Sequence, residues 1–342
     1  MSKALYRKYR SKKLSEVVGQ KHITTVLENA LKQGKIAHAY LFTGPRGVGK
    51  TSIARILAHE INNLPYSEED NHPDIIEIDA ASNNGVDDIR QLRDNVQVAP
   101  FSAKYRVYII DEVHMLSKAA FNALLKTLEE PPEHAVFILA TTDAHKLPAT
   151  IISRTQRFVF RFISKEDVCA HLEFIAKNEK INISKEAIEI IAERGEGSFR
   201  DSISLLDQIS SITKKNEEIT ANLLEEALGL APKMQINALI SAFENQNSNE
   251  ILQIVRDVRN SGVDLKNFAS QLLSFITENV GEKPYLSQFL MPLTRAEKSN
   301  FIEMELLSIF IQPSFTPNFS INQNILPQVQ QKTILKPKVE NQ

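Results

Sequence analysis

The sequence of 342 residues has no tryptophan, a single cysteine and no long apolar run. Cys169 cannot form a disulfide within the chain, and a lone thiol without other ligands does not indicate a metal cluster. The apolar stretches, such as residues 135–140, are far shorter than the roughly 20 residues needed to cross a bilayer. No apolar segment of a secretory signal follows the basic N-terminus. We therefore expect a soluble cytoplasmic protein that does not enter a membrane.

The chain also carries little excess charge, since its formal net charge is -2 at pH 7. A protein that holds DNA by bulk positive charge is usually more basic, because neutralising phosphates requires lysine and arginine. Any contact with nucleic acid should therefore depend on local features or on partner subunits. Hydrophobic residues at 42% and charged residues at 24% are close to ordinary globular usage, and the length suits two or three domains.

Short apolar or β-branched runs alternate with helical patterns in the first half of the chain. Because strands that alternate with helices form parallel sheets covered on both faces, the pattern predicts an α/β fold. The predicted strands are 39–43, 75–79, 106–111, 135–142 and 157–162. We expect this five-stranded domain to span residues 1–163.

From Ser164 onward the pattern is helical only. Ser164 and Asp167 have capping-box spacing, and further helices are predicted at 184–194 and 199–212, which suggests a helical lid domain over 164–215. A polar linker precedes a third, helical domain over 219–312, with helices predicted at 264–280 and 295–312. Residues 313–342 are rich in Pro, Asn and Gln without periodicity, so we expect a disordered tail.

One segment, GPRGVGKT from Gly44 to Thr51, fits the P-loop pattern between a predicted strand and a predicted helix. Its glycines allow backbone N–H groups to curl around phosphate oxygens, and the helix points its positive end at the same anions. Lys50 is suited to the β- and γ-phosphates and Thr51 to a magnesium ion, whereas a glycine-rich turn without a ligand is the weaker alternative. The candidate nucleotide-binding residues here are Gly44, Pro45, Arg46, Gly47, Val48, Gly49, Lys50, Thr51 and Ser52.

Two further strands end in residues that suit phosphoryl transfer. The strand VYIID delivers Asp111 and Glu112 at its carboxyl end, where open α/β sheets bind ligands. Asp111 suits magnesium binding and Glu112 suits the polarisation of an attacking water. An acidic pair after a strand is weak evidence alone, but the upstream P-loop strengthens it. Thr142, at the end of the next strand, can sense the γ-phosphate, although a routine strand hydroxyl is the alternative.

Two arginines are candidates for contact with transferring phosphoryl groups. Arg154 precedes the last predicted strand, and in AAA+ rings this position reaches the nucleotide of the neighbouring subunit. Arg200 begins a helix of the predicted lid and is placed to reach the phosphates of its own subunit. For both residues the alternative is an ordinary surface charge.

Long segments of the chain resemble one family, the gamma/tau subunits of the bacterial DNA polymerase III clamp loader. These segments are EVVGQ (16–20), IEIDAASNNGVDDIRQLRDNV (76–96), VYIIDEVHMLSKAAFNALLKTLEEPPEH (107–134) and FILATTDAHKLPATIISR (137–154). The similarity covers roughly the first 210 residues and continues more weakly through GVDLKNFASQLL (262–273).

The resemblance implies a AAA+ ATPase domain, a lid and an oligomerising helical collar. It implies a ring of five subunits, made with delta and delta-prime subunits and further copies of this chain. This ring uses ATP and Mg²⁺ to open the sliding clamp (beta) and place it on primer-template DNA. The chain itself would hold no polymerase active site. The implied roles are Walker B for Asp111 and Glu112, sensor 1 for Thr142, arginine finger for Arg154, sensor 2 for Arg200 and adenine contacts for Val17 and Val18, where core packing is the alternative.

Three departures from the family pattern affect these expectations. The family usually carries a four-cysteine zinc module, but residues 62–73 contain no cysteine, so we expect no zinc. Thr155 stands where the family has cysteine after the arginine finger, which leaves the finger itself intact. Ser11 and Leu14 replace a proline and a phenylalanine near the adenine contacts.

Two other functions are alternatives to an ATP-hydrolysing subunit of a ring. A structural ring subunit that binds ATP without hydrolysing it is disfavoured, because the P-loop and both Walker B carboxylates are present. A small-molecule P-loop kinase would need an acceptor pocket and would work without a partner's arginine.

Overall fold

A computed structural model describes residues 3–66, 72–213 and 217–311, so the expected tail at 313–342 lies outside the described residues. The chain divides into two compact units, Met1–Ala227 and Leu228–Gln342. The strands are β1 (Ala39–Thr43), β2 (Ile75–Asp79), β3 (Arg106–Asp111), β4 (Ala135–Thr141) and β5 (Gln156–Val159). The helices up to the boundary are α1 (Leu5–Lys8), α2 (Lys21–Lys32), α3 (Lys50–Ile61), α4 (Val86–Val96), α5 (Lys118–Glu129), α6 (Ala149–Ile152), α7 (Lys165–Glu179), α8 (Lys185–Arg194), α9 (Phe199–Ile212) and α10 (Ala221–Leu228).

The five strands form one parallel sheet in the order β2-β3-β4-β1-β5. The strands β1 and β4 are buried along their whole length, as expected for a parallel sheet covered on both faces. On one face, alternate side chains such as Leu41, Ile110 and Leu139 form a core with helices α4 and α5. The fold class predicted from the sequence is therefore confirmed.

Two strands end earlier than the apolar pattern predicts. The strand β5 pairs with β1, which ends at Thr43 where the P-loop begins. Pairing therefore stops after the N–H of Phe160 donates to the carbonyl of Thr43 at 2.7 Å. The strand β4 ends at Thr141 because the N–H of Thr142 donates to Oε2 of Glu112 at 3.1 Å instead of to a backbone carbonyl.

Three helices after the sheet, α7, α8 and α9, begin at serine caps, and the sequence indicates the one at Ser164. The Oγ of Ser164 accepts from the N–H of Asp167 at 3.1 Å, and Ser184 and Ser198 cap α8 and α9 in the same way. Each cap satisfies one of the N–H groups that a helix start leaves without an intrahelical partner.

The boundary between the two units differs from the sequence-based one at 219. Ile219 forms a bridge with Ile183: its N–H donates to the carbonyl of Asn182 at 2.8 Å, and its carbonyl accepts from Ser184 at 3.0 Å. These bonds tie the start of the predicted third domain to the helical lid, and the chain divides after Ala227.

The second unit is a helical bundle with its own core, which includes Phe243, Phe268, Leu272, Phe289 and Phe310. Its helices are α11 (Lys233–Glu244), α12 (Ser248–Asn260), α13 (Leu265–Asn279), α14 (Leu290–Ala296) and α15 (Ile302–Ile311). Across the described ranges, no helix is long and apolar enough to span a membrane.

One predicted helix of this unit, 295–312, is wrong as a single element. The structure ends α14 at Ala296 and begins α15 at Ile302. Between them the Oγ of Ser299 accepts from the N–H of Phe301 at 3.1 Å. Such a local side-chain bond competes with the helical ladder, which explains why the helix breaks there.

Candidate nucleotide-binding site

The P-loop connects the buried strand β1 to helix α3, which begins at Lys50. Gly49 precedes the helix with a φ of +99°, a left-handed conformation that glycine adopts without steric cost. Gly47 has a φ of +74°, and a Cβ there would overlap Ser198 of the lid. The loop therefore lies directly against the lid, and the free N–H groups of the first turn of α3 form a cradle suited to phosphate.

Lys50, the first residue of α3, is buried, and its side chain turns back toward the P-loop. Its Nζ donates to the carbonyls of Gly44 at 2.8 Å and Pro45 at 2.6 Å. Burial lowers the pKa of Lys50, while the charges of Glu112 and Asp111 act in the opposite direction. A phosphate brought to the cradle would supply the counter-charge that favours the ammonium form.

Asp111 and Thr51 meet beside the lysine. The hydroxyl of Thr51 donates to Oδ2 of Asp111 at 2.6 Å. Burial raises the pKa of Asp111, and the bonds from Thr51 and from the N–H of Glu112 partly offset this rise. A carboxylate and a hydroxyl are hard oxygen donors of the kind that Mg²⁺ prefers, so these two residues fit the magnesium ligands predicted from the sequence.

Glu112 follows Asp111 in a left-handed backbone conformation, with a φ of +47°. Its Oε2 accepts from the N–H of Thr142 at 3.1 Å and from the Oγ1 of Thr142 at 2.9 Å. The sheet order places β3 beside β4, so the acidic pair and the candidate sensor threonine lie at the same carboxyl edge. The structure thus brings together side chains that are separated by thirty positions in sequence.

A cavity of about 200 Å³ opens at this edge. Its walls include most of the residues predicted from the sequence, while Gly44 and Pro45 adjoin it through the carbonyls that bind Lys50. The predicted residues in the wall are Val17, Val18, Arg46, Gly47, Val48, Gly49, Lys50, Thr51, Ser52, Asp111, Glu112 and Arg200. Ser11, which the sequence placed near the adenine contacts, is also in the wall. The sequence did not indicate several others, namely Tyr6, Tyr9, Arg10, Ile53, His171, Phe199 and Ile203.

Apart from Ile53 of α3, the unforeseen wall residues come from the N-terminal segment and the lid. The rings of His171 and Phe199 lie 4.9 Å apart, and burial lowers the pKa of His171. These rings line the same cavity as Val17 and Val18, so the cavity offers aromatic and apolar surface suited to an aromatic base. Tyr6 and Tyr9, in the basic N-terminal stretch, were the one sequence signal that this segment could contact a nucleotide.

Arg200 enters the cavity from the first turn of α9. Its Cζ lies 5.4 Å from the centre of the Tyr6 ring, which is within the range of a cation–π contact. A guanidinium held over this ring lies on the same cavity wall as the P-loop residues.

Besides the two P-loop residues that adjoin it, two predicted site residues, Thr142 and Arg154, do not line the cavity. Thr142 is bonded to Glu112 in the cavity wall, whereas Arg154 stands apart from the site. It is not part of the cavity wall, its Nη2 lies 2.7 Å from Oε1 of Glu129, and its Nη1 donates to the carbonyl of Thr150 at 3.0 Å. The guanidinium is therefore held at the surface of α6, away from the nucleotide cavity of its own chain.

Metal binding elsewhere receives no support from side-chain clusters. In the parts of the chain that the structure describes, no group of three or more His, Cys, Asp or Glu residues is arranged to hold a metal ion. The absence of zinc stays a prediction, to be tested by elemental analysis.

The parallel sheet, P-loop and helical lid define a AAA+ ATPase fold. A solved structure with the same fold is the RuvB Holliday junction branch migration motor of Thermotoga maritima, which is 23% identical with a TM-score of 0.53 and covers 68% of this chain and 78% of that one. The DNA polymerase III clamp loader ATPase lid model matches residues 167–214, and the DNA polymerase III delta subunit model matches residues 19–164.

The chain belongs to the DNA polymerase III gamma/tau family. It is 39% identical to the gamma subunit of Buchnera aphidicola, with 80% of this chain and 78% of that protein covered. It is 44% identical to the tau subunit of Bacillus subtilis and 41% identical to that of Escherichia coli, each over 80% of this chain. It spans about half the length of those two tau subunits, 51% and 44% respectively.

Proposed function

We propose that this chain is an ATP-hydrolysing motor subunit of a clamp loader, which opens a sliding clamp and places it on primer-template DNA during chromosome replication in the cytoplasm. The observation that carries the proposal is the convergence of Lys50, Thr51, Asp111, Glu112 and Thr142 at one sheet edge beside the cavity. The family membership supports the same conclusion, since the named relatives are DNA polymerase III subunits.

Different residues of the cavity bind the phosphates, the adenine and the magnesium ion. The N–H groups at the start of α3 and the ammonium of Lys50 hold the β- and γ-phosphates, and Arg200 approaches the same phosphates from the lid. Val17 and Val18 contact the adenine, together with the rings contributed by the N-terminal segment and the lid. Mg²⁺, held by Thr51 and Asp111, supplies charge neutralisation on the phosphate oxygens when bound.

Hydrolysis depends on the carboxylate of Glu112. Glu112 accepts a proton from the attacking water, and Thr142 fixes the orientation of that carboxylate through two hydrogen bonds. General-base catalysis of this kind contributes about 10²- to 10⁴-fold to a rate. The two hydrogen bonds between Thr142 and Glu112 support a direct structural connection between the end of β4 and the base.

A further positive charge at each nucleotide site is supplied by an arginine of the neighbouring subunit. Arg154 lies outside the cavity of its own chain, so in a ring of five its guanidinium completes the site of the adjacent subunit. Delta and delta-prime subunits and further copies of this chain occupy the other positions. ATP then acts as a ligand of the interface, and its preference for the closed interface drives the conformational change.

Reconstitution tests the proposal. The purified chain, mixed with delta and delta-prime subunits, should form a complex whose ATP hydrolysis rises when the clamp and primed DNA are added. Glu112→Gln should assemble and bind ATP without turning it over. ATP binding by the wild-type assembly without hydrolysis, with or without clamp and DNA, would establish a structural subunit instead.

A further inference from the structure

His114 lies two residues after Glu112 on the short 3₁₀ turn Val113–Met115. Its side chain is only 10% exposed. Its Nδ1 lies 2.9 Å from the Oγ1 of Thr141 and 3.3 Å from the Oε2 of Glu112. A single ring nitrogen is thus within reach of both the end of β4 and the candidate base.

The carboxylate beside the ring favours one tautomer. The Oγ1 of Thr141, which is fully buried, already accepts from the N–H of Asp143 at 3.0 Å, and it can either accept from Nδ1 or donate to it. If Nδ1 carried a lone pair, that lone pair would lie 3.3 Å from the Oε2 of Glu112 and be repelled by it. A proton on Nδ1 instead donates to Thr141 and puts its positive end near the carboxylate, which favours this form.

With that tautomer, three polar groups surround the Oε2 of Glu112. Thr142 donates to it from its N–H and its Oγ1, and the Nδ1–H of His114 lies 3.3 Å away as an electrostatic contact. Hydrogen bonds to an ionised acceptor are stronger than those between neutral groups. All three contacts fall on one oxygen, so base chemistry at this carboxylate would fall to Oε1.

The left-handed backbone of Glu112 needs stabilising contacts, and these bonds provide them. A left-handed conformation at a residue other than glycine is strained, and it persists where the surroundings enforce it. The bonds from Thr142 come from the residue that follows β4, whereas His114 is on the same turn as Glu112 and is itself anchored to Thr141. The imidazole therefore connects the strained turn to the end of β4.

We propose that His114 is a positioning residue: its Nδ1–H, anchored on Thr141, holds the carboxylate of Glu112 in the orientation required for hydrolysis. The inference rests on the proposed function, in which Glu112 is the base. His114 touches neither nucleotide nor water in this role and acts only through Glu112. Its loss should lower kcat and leave the equilibrium affinity for ATP unchanged.

The test compares two substitutions in the full chain assembled with delta and delta-prime subunits. His114→Leu keeps the volume and removes the donor, whereas His114→Asn keeps an N–H at nearly the position of Nδ1. We expect His114→Leu to lower kcat by about 10- to 100-fold, because a misplacement of about 1 Å costs as much as 10²-fold. His114→Asn should recover most of that rate. His145→Ala, an exposed histidine on the next loop, is the control and should keep the wild-type rate.

A second variant leaves the ring in place. Thr141→Val removes the hydroxyl that anchors Nδ1 but keeps the shape of the side chain, so kcat should fall, and the double variant with His114→Leu should lose less than the product of the two single losses. ATP affinity should stay at the wild-type value in every variant. Thermal unfolding measured on each assembly separates loss of rate from loss of fold.

The outcomes separate this inference from the function on which it rests. Equal impairment by Leu and Asn, a wild-type kcat in His114→Leu, or strictly multiplicative losses with Thr141→Val would each overturn the positioning role. If the wild type fails to hydrolyse ATP, or Glu112→Gln turns over at the wild-type rate, then the proposed function itself is wrong.

Discussion

Replacing Arg154 with alanine separates a ring motor from a chain that works alone. The guanidinium lies outside the nucleotide cavity of its own subunit and is held at the surface by Glu129 and Thr150. The substitution should therefore leave the cavity intact, and the affinity of the isolated subunit for ATP should barely change. Hydrolysis by the assembled ring should collapse, because each site would lack the cation supplied by its neighbour.

The structure sets the size of both effects. The side chains of the pair Arg154–Glu129 are 34% and 48% exposed, so its loss should cost no more than about 1 kcal/mol of stability. The loss in kcat should approach the roughly 10³- to 10⁵-fold contribution of arginine fingers, softened where Arg200 compensates. Arg154→Lys is the matched control: it keeps the charge but not the planar fork, and it should recover only part of the rate.

A mixing assay decides whether the arginine acts on a neighbour. Arg154→Ala subunits and Lys50→Ala subunits are each expected to be inactive alone. In a mixed ring, some interfaces combine an intact P-loop from the first variant with an intact Arg154 from the second, so ATPase activity should return. No recovery at any mixing ratio, with ring assembly confirmed by size, would refute the reasoning and leave Arg154 as a structural or DNA-facing residue.

Three further results follow from the site and the fold. Lys50→Ala should abolish ATP binding and hydrolysis, measured by equilibrium titration and phosphate release, because the ammonium that neutralises the phosphates is lost. Asp74→Asn should destabilise the chain by about 1–3 kcal/mol near neutral pH, measured by chemical denaturation, because it puts a donor against N–H groups. Burial acts to raise the pKa of Asp74, but N–H bonds from Ser102, Phe101 and Ala103 lower it. Its stabilisation is therefore full above the ordinary value of 3.8 and is lost as the pH falls through the lower folded value. Protein prepared without chelator should contain no stoichiometric zinc by elemental analysis.

Each of these has a contrary outcome. Wild-type affinity in Lys50→Ala would remove the phosphate role of that lysine. A stability difference between wild type and Asp74→Asn that stays constant from neutral to strongly acid pH would show that the carboxylate charge is unimportant. About one zinc per chain would mean that ligands other than cysteines have replaced the missing module.

The sequence alone was enough for the elements whose signals are local. The strands β1, β2 and β3 and the helix α9 have the predicted bounds, because each is a short run with its own apolar pattern and punctuation. The serine cap at Ser164 was equally visible, since a cap bonds to a residue three positions away. The helix predicted over 295–312 failed for a related reason: its apolar period continues through a stretch where Ser299 bonds locally and ends the helix.

The composition of the cavity required the tertiary structure. The P-loop and the acidic pair could be read from their residues, because phosphate and magnesium chemistry demands particular residue types at fixed spacing. Tyr6 and Phe199 could not, since aromatic side chains serve equally in cores and on surfaces. Only the folded lid and N-terminal segment bring them to the P-loop.

By itself, then, the sequence predicted which segment forms the P-loop and which carboxylates accompany it. The tertiary structure decided how those groups are held. Parallel pairing sets β4 beside β3, and so puts Thr142 on the Oε2 of Glu112 and Thr141 beside the Nδ1 of His114. The fold also keeps Arg154 away from its own cavity. Both outcomes depend on contacts between residues far apart in sequence, and no local pattern of residue types encodes such contacts.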